Sequence, residues 1–431
     1  MRTTIATLVC TGFLAASLHA GGGVSIKEML LASFSDEGVK QLEQNVRINM
    51  KGAYGGIPLI NDLELRLRNE AFDINRLRYT LRLQPSGIGE TWAANRYNKL
   101  FTRNYDKKLQ LGKNKALRNR YQEILDQMEY REVENHYKEL IVVYEDMIAV
   151  MEKKKFAVEG FDLNDLIDNE DQNTKLHNQL FEFKRQYFSS QHNISSSLHK
   201  QEIGEIDTAG FVEVDSVIAL IERNGYAFDT NNVYLEYFRL QEQLARARYE
   251  LEKAENRQYV SFLGFSYDNG DMLDEIVRRD DNKTYNFNNS YAVEFGFKIP
   301  DLTMARQDLA RRRADYLKEQ EDYEEVKLEL IDQMKKDKAD LLSFIAQYRF
   351  LKNRENEVDA TSSLKKYLQM SGVDPLVLLS IKESILKNHV ELSKLKYRIL
   401  RNYVQVLDVA GELSKRPLRN FLSKNQEVIE P

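Results

Sequence analysis

Two stretches of this chain change hydrophobic period abruptly. Asn289 to Leu351 opens with NSYAVEFGFKIP, in which Tyr291, Val293, Phe295, Phe297 and Ile299 alternate with Ala292, Glu294, Gly296 and Lys298. Strict alternation predicts a strand with one apolar and one polar face. Pro300 gives no backbone N–H to a sheet but suits the first turn of a helix. A helical pattern then continues without a breaker to about Gln369. The same switch stands earlier in RLRYTLRLQP, with Leu77, Tyr79, Leu81 and Leu83 against Arg78, Thr80 and Arg82 before Pro85. The pair predicts an internal duplication.

Each copy has further elements in the same order. Ile26 to about Met50 reads as one helix. LINDLELRLRNE alternates Leu63, Leu65 and Leu67 with Glu64, Arg66 and Arg68, which makes an amphipathic hairpin with the next strand. Residues 86–155 predict a long helix. Its apolar seam is Leu117, Tyr121, Ile124 and Met128, then Tyr137, Leu140, Tyr144, Met147 and Met151, at coiled-coil spacing. Gly112 is a local weak point. EGFDLNDL then places Gly160 as a helix stop and Asp162 as an N-cap. A helix to about Ser195 and a polar link over 196–210 follow. In the second copy Asp215 is placed to cap a helix, and QYVSFLGFSYDNG and NSYAVEFGFKIP are the strands. Val326, Leu330, Met334, Leu341, Ile345 and Tyr348 form the seam of the second long helix. In SGVDPLVLL, Gly372 and Asp374 repeat Gly160 and Asp162, 212 residues on. The tail after Ser414 reads as polar and mobile.

Composition narrows the class. Charged residues make up 30%, with only 6 prolines, which favours long solvated helices over loop-rich globules. A net charge of −5 argues against nucleic acid as the main partner. Residues 1–20 read as a cleaved signal peptide: Arg2, an apolar core from Ile5 to Ala16, and Ser17-Leu18-His19-Ala20 before three glycines. An uncleaved anchor is the alternative, and the core is short for a span. The one cysteine, Cys10, lies in that core, so the exported chain would carry no disulfide and no thiolate site.

The duplicated order of helix, strand, strand, long helix, Gly-Asp turn and helix resembles the TolC-type outer-membrane efflux proteins. FGFKIPD, EGFDLNDL and SGVDPLVLL carry the likeness most directly. The resemblance implies a mainly α fold with a membrane β-barrel. In it a long coiled-coil helical tunnel joins four strands per protomer of a shared 12-stranded trimeric barrel. It divides the chain into a first repeat over 21–205, a second over 206–413 and a polar tail over 414–431. It implies export of small molecules or polypeptides from an outer-membrane position, with a periplasmic adaptor and an inner-membrane transporter as partners. A periplasmic adaptor and an exported coiled-coil scaffold are the rival readings.

The strand pattern independently fits a barrel, since strands in lipid alternate apolar-out and polar-in and leave no open edge. Leu63, Leu65, Leu67, Tyr79, Leu81, Leu83, Val293, Phe295 and Phe297 are therefore assigned to lipid. Arg66, Arg68, Arg78, Arg82, Glu294 and Lys298 are assigned to the lumen. Gly160, Asp162, Asp165, Asp168, Gly372 and Asp374 are the candidates for the periplasmic tip and gate, about 70 residues and roughly 100 Å of helix from the strand junctions. The resemblance implies an acidic ring in the second repeat, but Val377 and Ser380 occupy those positions, whereas Asp165 and Asp168 hold the equivalent ones in the first. As helix caps, Asp162 and Asp374 have a simpler explanation. The histidines show no ligand spacing, Asp268-Asn269-Gly270-Asp271 fails calcium-loop spacing, and Arg311-Arg312-Arg313 reads as a solvated face. No catalytic, cofactor-binding or metal-binding residues are assigned.

Overall fold

The structure, a computed structural model, describes residues 24–53, 60–69, 77–155, 163–200, 206–208, 210–229, 231–257, 259–268, 290–297, 302–357 and 374–429. The elements run in chain order as β1 (Val24–Ser25), α1 (Ile26–Ala32), α2 (Glu37–Ala53), β2 (Ile60–Asn69), β3 (Leu77–Pro85) and α3 (Ile88–Lys155). Then come α4 (Leu163–Leu198), β4 (Ile206–Asp207), α5 (Val214–Asn224), α6 (Val233–Glu255), β5 (Val260–Asp268), β6 (Ser290–Phe297), α7 (Leu302–Glu357) and α8 (Pro375–Val409). The chain is thus mainly helical, with one four-stranded sheet and one small parallel pair. It separates into two compact units. A helical unit comprises 24–42, 110–232 and 329–429 of the described segments, and a sheet unit comprises 43–109 and 233–328.

The helical unit is organised on α3. Leu117, Tyr121, Ile124 and Met128 are all buried in one apolar cluster with Ile399, Leu400, Tyr403, Val404 and Leu407 of α8 and Met334, Leu341 and Ile345 of α7. Tyr137, Leu140, Tyr144 and Met147 continue the same stripe into a second cluster with Leu386 and Val390. The predicted seam is therefore the core, as expected when apolar residues recur on one helical face. Charges flank it in matched pairs. Arg401 reaches Asp126 at 2.6 Å and Glu129 at 2.5 Å, while Glu132 accepts from Lys396 at 2.6 Å and from the Tyr397 hydroxyl at 2.7 Å. Asp408 is buried and accepts from Asn114 at 2.5 Å and Arg118 at 3.1 Å. Loss of one partner would leave the other charge uncompensated in a dry site.

Five sequence expectations need correction here. The first helix is broken: a 3-10 turn over Ser33–Ser35 separates α1 from α2, and Asp36 behind it binds the buried Arg120 at 2.7 Å. The polar link contains β4, which pairs in parallel with β1 through Val24 with Ile206 and Ser25 with Asp207. Asp215 does not cap α5; Glu213 holds that position, and Asp215 pairs instead with Lys352 at 2.6 Å. The tail is docked. Leu422 and Ile429 are fully covered, Val212 donates its N–H to the Leu422 carbonyl at 2.9 Å, and the Tyr121 hydroxyl donates to the Arg419 carbonyl at 2.9 Å. Gly112 marks a close approach rather than a weak point, since a Cβ there would lie 2.3 Å from Leu42 Cδ2.

Candidate functional site

Antiparallel pairing in the sheet unit runs β2-β3-β5-β6, so β2 and β6 are its edges. The register stacks the alternating residues into rows. Leu63, Leu83, Leu263 and Phe295 form one row; Leu65, Leu81, Phe265 and Val293 the next; Leu67, Tyr79, Tyr267 and Tyr291 the third. Directly opposed residues share a face in an antiparallel sheet, so one face is apolar across all four strands. It is also open: Leu65 is 64% exposed, Phe295 64% and Phe297 75%. The three tyrosines make a continuous aromatic row, with ring centroids 6.2 Å apart for Tyr79–Tyr267 and 5.2 Å for Tyr267–Tyr291. Leu63, Leu65, Leu67, Tyr79, Leu81, Leu83, Val293, Phe295 and Phe297 all lie on this face, and Ile299 lies outside the described residues.

The opposite face carries the charges. Arg68 stands opposite Arg78, Arg66 opposite Thr80, and Glu64 opposite Arg82. Glu294 accepts from Arg78 at 3.2 Å and lies 3.7 Å from Arg82, while Glu64 and Arg66 pair along one strand at 2.8 Å. The Arg82 guanidinium sits 4.3 Å above the ring of Phe262. That ring in turn lies across Gly296, where a Cβ would come within 2.3 Å of it. Only glycine leaves room for this aromatic on the polar face. Phe262 falls on the polar face by the same alternation that puts Leu263, Phe265 and Tyr267 on the apolar one, and a register shift between Val260 and Phe262 brings Val260 opposite Phe297. Lys298 lies outside the described residues.

Of the turn residues, Gly160, Asp162 and Gly372 lie outside the described residues. Asp374 is the N-cap of α8: its carboxylate accepts from the Leu376 N–H at 3.0 Å and from Lys154 Nζ at 2.5 Å. Lys154, with help from that N–H, holds the carboxyl below the usual aspartate range. Asp165 and Asp168 are exposed in the first two turns of α4. Val377 is exposed as well, on α8. The capping role of Asp374 is thus realised, together with a cross-helix ion pair that spacing did not reveal.

Elsewhere the chemistry is that of packing. His136 and His389 meet edge to face at 5.5 Å between ring centroids, a pairing invisible at a separation of 253 residues. Among the described residues no group of three or more His, Cys, Asp or Glu is placed to hold a metal. A cavity of about 640 Å³ lies among α3, α5, α7, α8 and the tail. Its acids are already engaged: Glu132 by Lys396, Asp215 by Lys352 and Glu213 by Lys424 at 3.0 Å. Among the described residues no helix is long and apolar enough to cross a membrane.

No family model and no curated protein matches the sequence. Solved structures do. The outer membrane protein VceC of Vibrio cholerae superposes with a TM-score of 0.64 at 11% identity, covering 90% of this chain and 96% of that one. The CmeC outer membrane channel of Campylobacter jejuni gives 0.60 at 11% identity over 90% and 85%. The MtrE outer membrane channel of Neisseria gonorrhoeae, in its open state, gives 0.55 at 11% identity over 90% and 88%. This chain has the fold of an outer-membrane channel. The match spans nearly the whole of both partners, so the channel fold accounts for sheet and helices together. At this identity it is the fold that is held in common, not individual side chains. The duplicated order and the strand-to-helix switches, rather than any motif, are what made the fold readable.

Proposed function

We propose that the chain is one protomer of a trimeric outer-membrane channel-tunnel of the TolC type, which conducts small molecules or polypeptides outward. The observation that carries this reading is the sheet: an apolar face four strands wide, exposed among the described residues and backed by a charged face, with both edges unpaired among those residues. In lipid every strand edge must be paired, so a four-stranded sheet of this kind calls for further copies. Three copies give the shared 12-stranded barrel. The apolar rows then face lipid, and Arg66, Arg68, Arg78, Arg82 and Glu294 face the lumen. Conduction, not catalysis, is the work of such a molecule. A periplasmic adaptor and an inner-membrane transporter deliver cargo to the helical base, and the chain is exported by its signal peptide over 1–20. The repeats are 21–205 and 206–413.

The turns around Gly160-Asp162 and Gly372-Asp374, with Asp165 and Asp168, form the periplasmic tip. Release of the tip follows from exchange between two packings of the same coiled helices. The decisive experiment is membrane fractionation combined with electrophoresis of unheated and heated samples. A heat-resistant trimer in the outer membrane is expected; a monomer in the soluble periplasmic fraction would favour the adaptor or scaffold instead. A cysteine placed at Asp374 should react with a membrane-impermeant thiol reagent only after the outer membrane is breached. Labelling in intact cells would reverse the orientation.

A further inference from the structure

The charges on the polar face of the sheet are sorted along the strands. Toward the β2–β3 turn stand Arg68 and Arg78, then Arg66; the residue opposite Arg78 in the backbone register of β5 is Asp268. Toward the helices stand Glu64, Glu294 and Asp62, with Arg82 among them. The described positions therefore sum to two positive charges in the turn-side half and two negative in the helix-side half. Arg68 to Asp62 spans six residues, or about 20 Å of strand. The ion pairs reinforce this order. Arg78 reaches Glu294 and Arg66 reaches Glu64, so these two bridges run lengthwise across the boundary between the halves, while Arg82 meets Glu294 within the helix-side half. Arg68 at one end and Asp62 at the other make no ion pair among the described residues. Both residues are exposed.

Resting on the channel reading above, we infer that the barrel lumen is bipolar: a ring of arginines at the outer half and a ring of carboxylates at the inner half. Three copies multiply the two net charges at each level while keeping their order. A lumen of one sign concentrates the opposite ion and selects for it. A bipolar lumen does something else. Each half repels one sign of ion, so a small anion and a small cation each meet a barrier, while an uncharged or zwitterionic solute meets neither. Opposed rings also make the current depend on the sign of the voltage, because one polarity fills the lumen with counter-ions from both ends and the other empties it. Such cargo and such rectification are properties of this face, not of the fold.

Single-channel recording of the full-length trimer in planar bilayers tests the inference. In 0.1 M KCl the screening length is about 10 Å, and in 1 M it is about 3 Å. The parent should pass currents differing by about twofold at opposite voltages in dilute salt, and nearly equal currents in 1 M, as fixed charge in a pore is screened. The helical tunnel can rectify too, so the decisive readout is the change produced by barrel variants. Arg66→Gln with Arg68→Gln should move the reversal potential in a KCl gradient toward cation selectivity. Asp62→Asn with Glu64→Gln should move it toward anion selectivity. Both should alter the asymmetry of the current, and Arg68→Lys should behave as the parent. Heat-resistant trimer in each variant confirms that assembly survives. If both double variants form trimers and conduct with the parent's reversal potential and asymmetry in 0.1 M KCl, the bipolar lumen is overturned while the channel stands. If the parent trimer does not conduct at all, the channel reading falls and takes this inference with it.

Discussion

Tyr403 and Phe295 are both large aromatic residues in regular structure, yet Tyr403 is wholly covered and Phe295 is 64% exposed. The contrast holds for the units they belong to. In the helical unit, Tyr403 packs among α3, α7 and α8, and the charges around that core are paired at 2.5–3.1 Å. In the sheet unit, no cluster of buried apolar residues forms among the described residues, and whole rows of Leu, Phe and Tyr face outward. A chain obtains stability by removing apolar area from water. The helical unit achieves this within one protomer. In the trimer proposed above, the sheet unit does so with partners: lipid on its apolar face and further copies along β2 and β6.

The largest expected effect that separates the two is a truncation. Leu400 is fully buried in the helical core, so Leu400→Ala should destabilise by about 2–5 kcal/mol. Leu65→Ala, at an exposed position, should cost far less in a detergent-solubilised monomer. Thermal unfolding followed by helical circular dichroism reads both. Equal losses would mean that the sheet face is covered within the single chain.

Next in size is a charge on the apolar face. Phe295→Arg should cost about 2–4 kcal/mol if the position lies near the bilayer midplane, and should deplete the heat-resistant trimer. Arg66→Gln, one face over, should leave trimer formation intact. Equal effects on assembly would undo the assignment of faces. A smaller loss, about 1–3 kcal/mol, is expected from Gly296→Ala, because the new methyl group meets the Phe262 ring and must displace it. Phe262→Leu should relieve that loss.

The smallest effect concerns the turn. Lys154 lowers the carboxyl of Asp374 below its ordinary value of 3.8. A depressed native value means that the stabilisation is present above the ordinary aspartate range and disappears as pH falls below it through the lowered value. Asp374→Asn retains an acceptor for Leu376 but loses the charge pair. Its stability should therefore match the parent in strong acid and fall slightly below it at neutral pH. For a pair as exposed as this the difference is small. If Asp374 also shapes the entrance, its neutralisation, or that of Asp165 with Asp168, should raise resting conductance or weaken block by multivalent cations. Unchanged conductance would leave Asp374 a helix cap alone.

The elements legible in the sequence were those whose signal is local. The strands showed in period-two alternation, and α3 and α7 in 3-4 spacing, because those repeats follow from backbone geometry. Each of the nine apolar strand assignments fell on one face for the same reason. What was missed depends on distant partners. The break at Ser33–Ser35 lies beside Asp36, whose partner is Arg120, 84 residues away. β1 and β4 are two residues each and pair across the first repeat. Val260 stands opposite Phe297 through a register shift that alternation cannot announce. In the tail, Phe421, Leu422 and Ile429 were apolar residues in a stretch judged by its polar majority. Their spacing was a usable signal, but the acceptor site on Tyr121 was not.

Tyr121 gives that docked tail a consequence for biogenesis. Its hydroxyl donates to the Arg419 carbonyl and receives the Phe421 N–H, so a residue in the first third of the chain is fastened by one in the last few per cent. Ribosomes deliver the chain in one direction. For the whole time between synthesis of Tyr121 and synthesis of Phe421, the phenol and its apolar neighbours on α3 have no lid. The cluster around Tyr121 also draws on α7, α8 and the tail, so it can close only after Met334 to Ile429 have been made. Closing the bundle then reports that synthesis has passed Ile429, and a chain cut before Leu418 would carry an open, sticky seam to whatever awaits it.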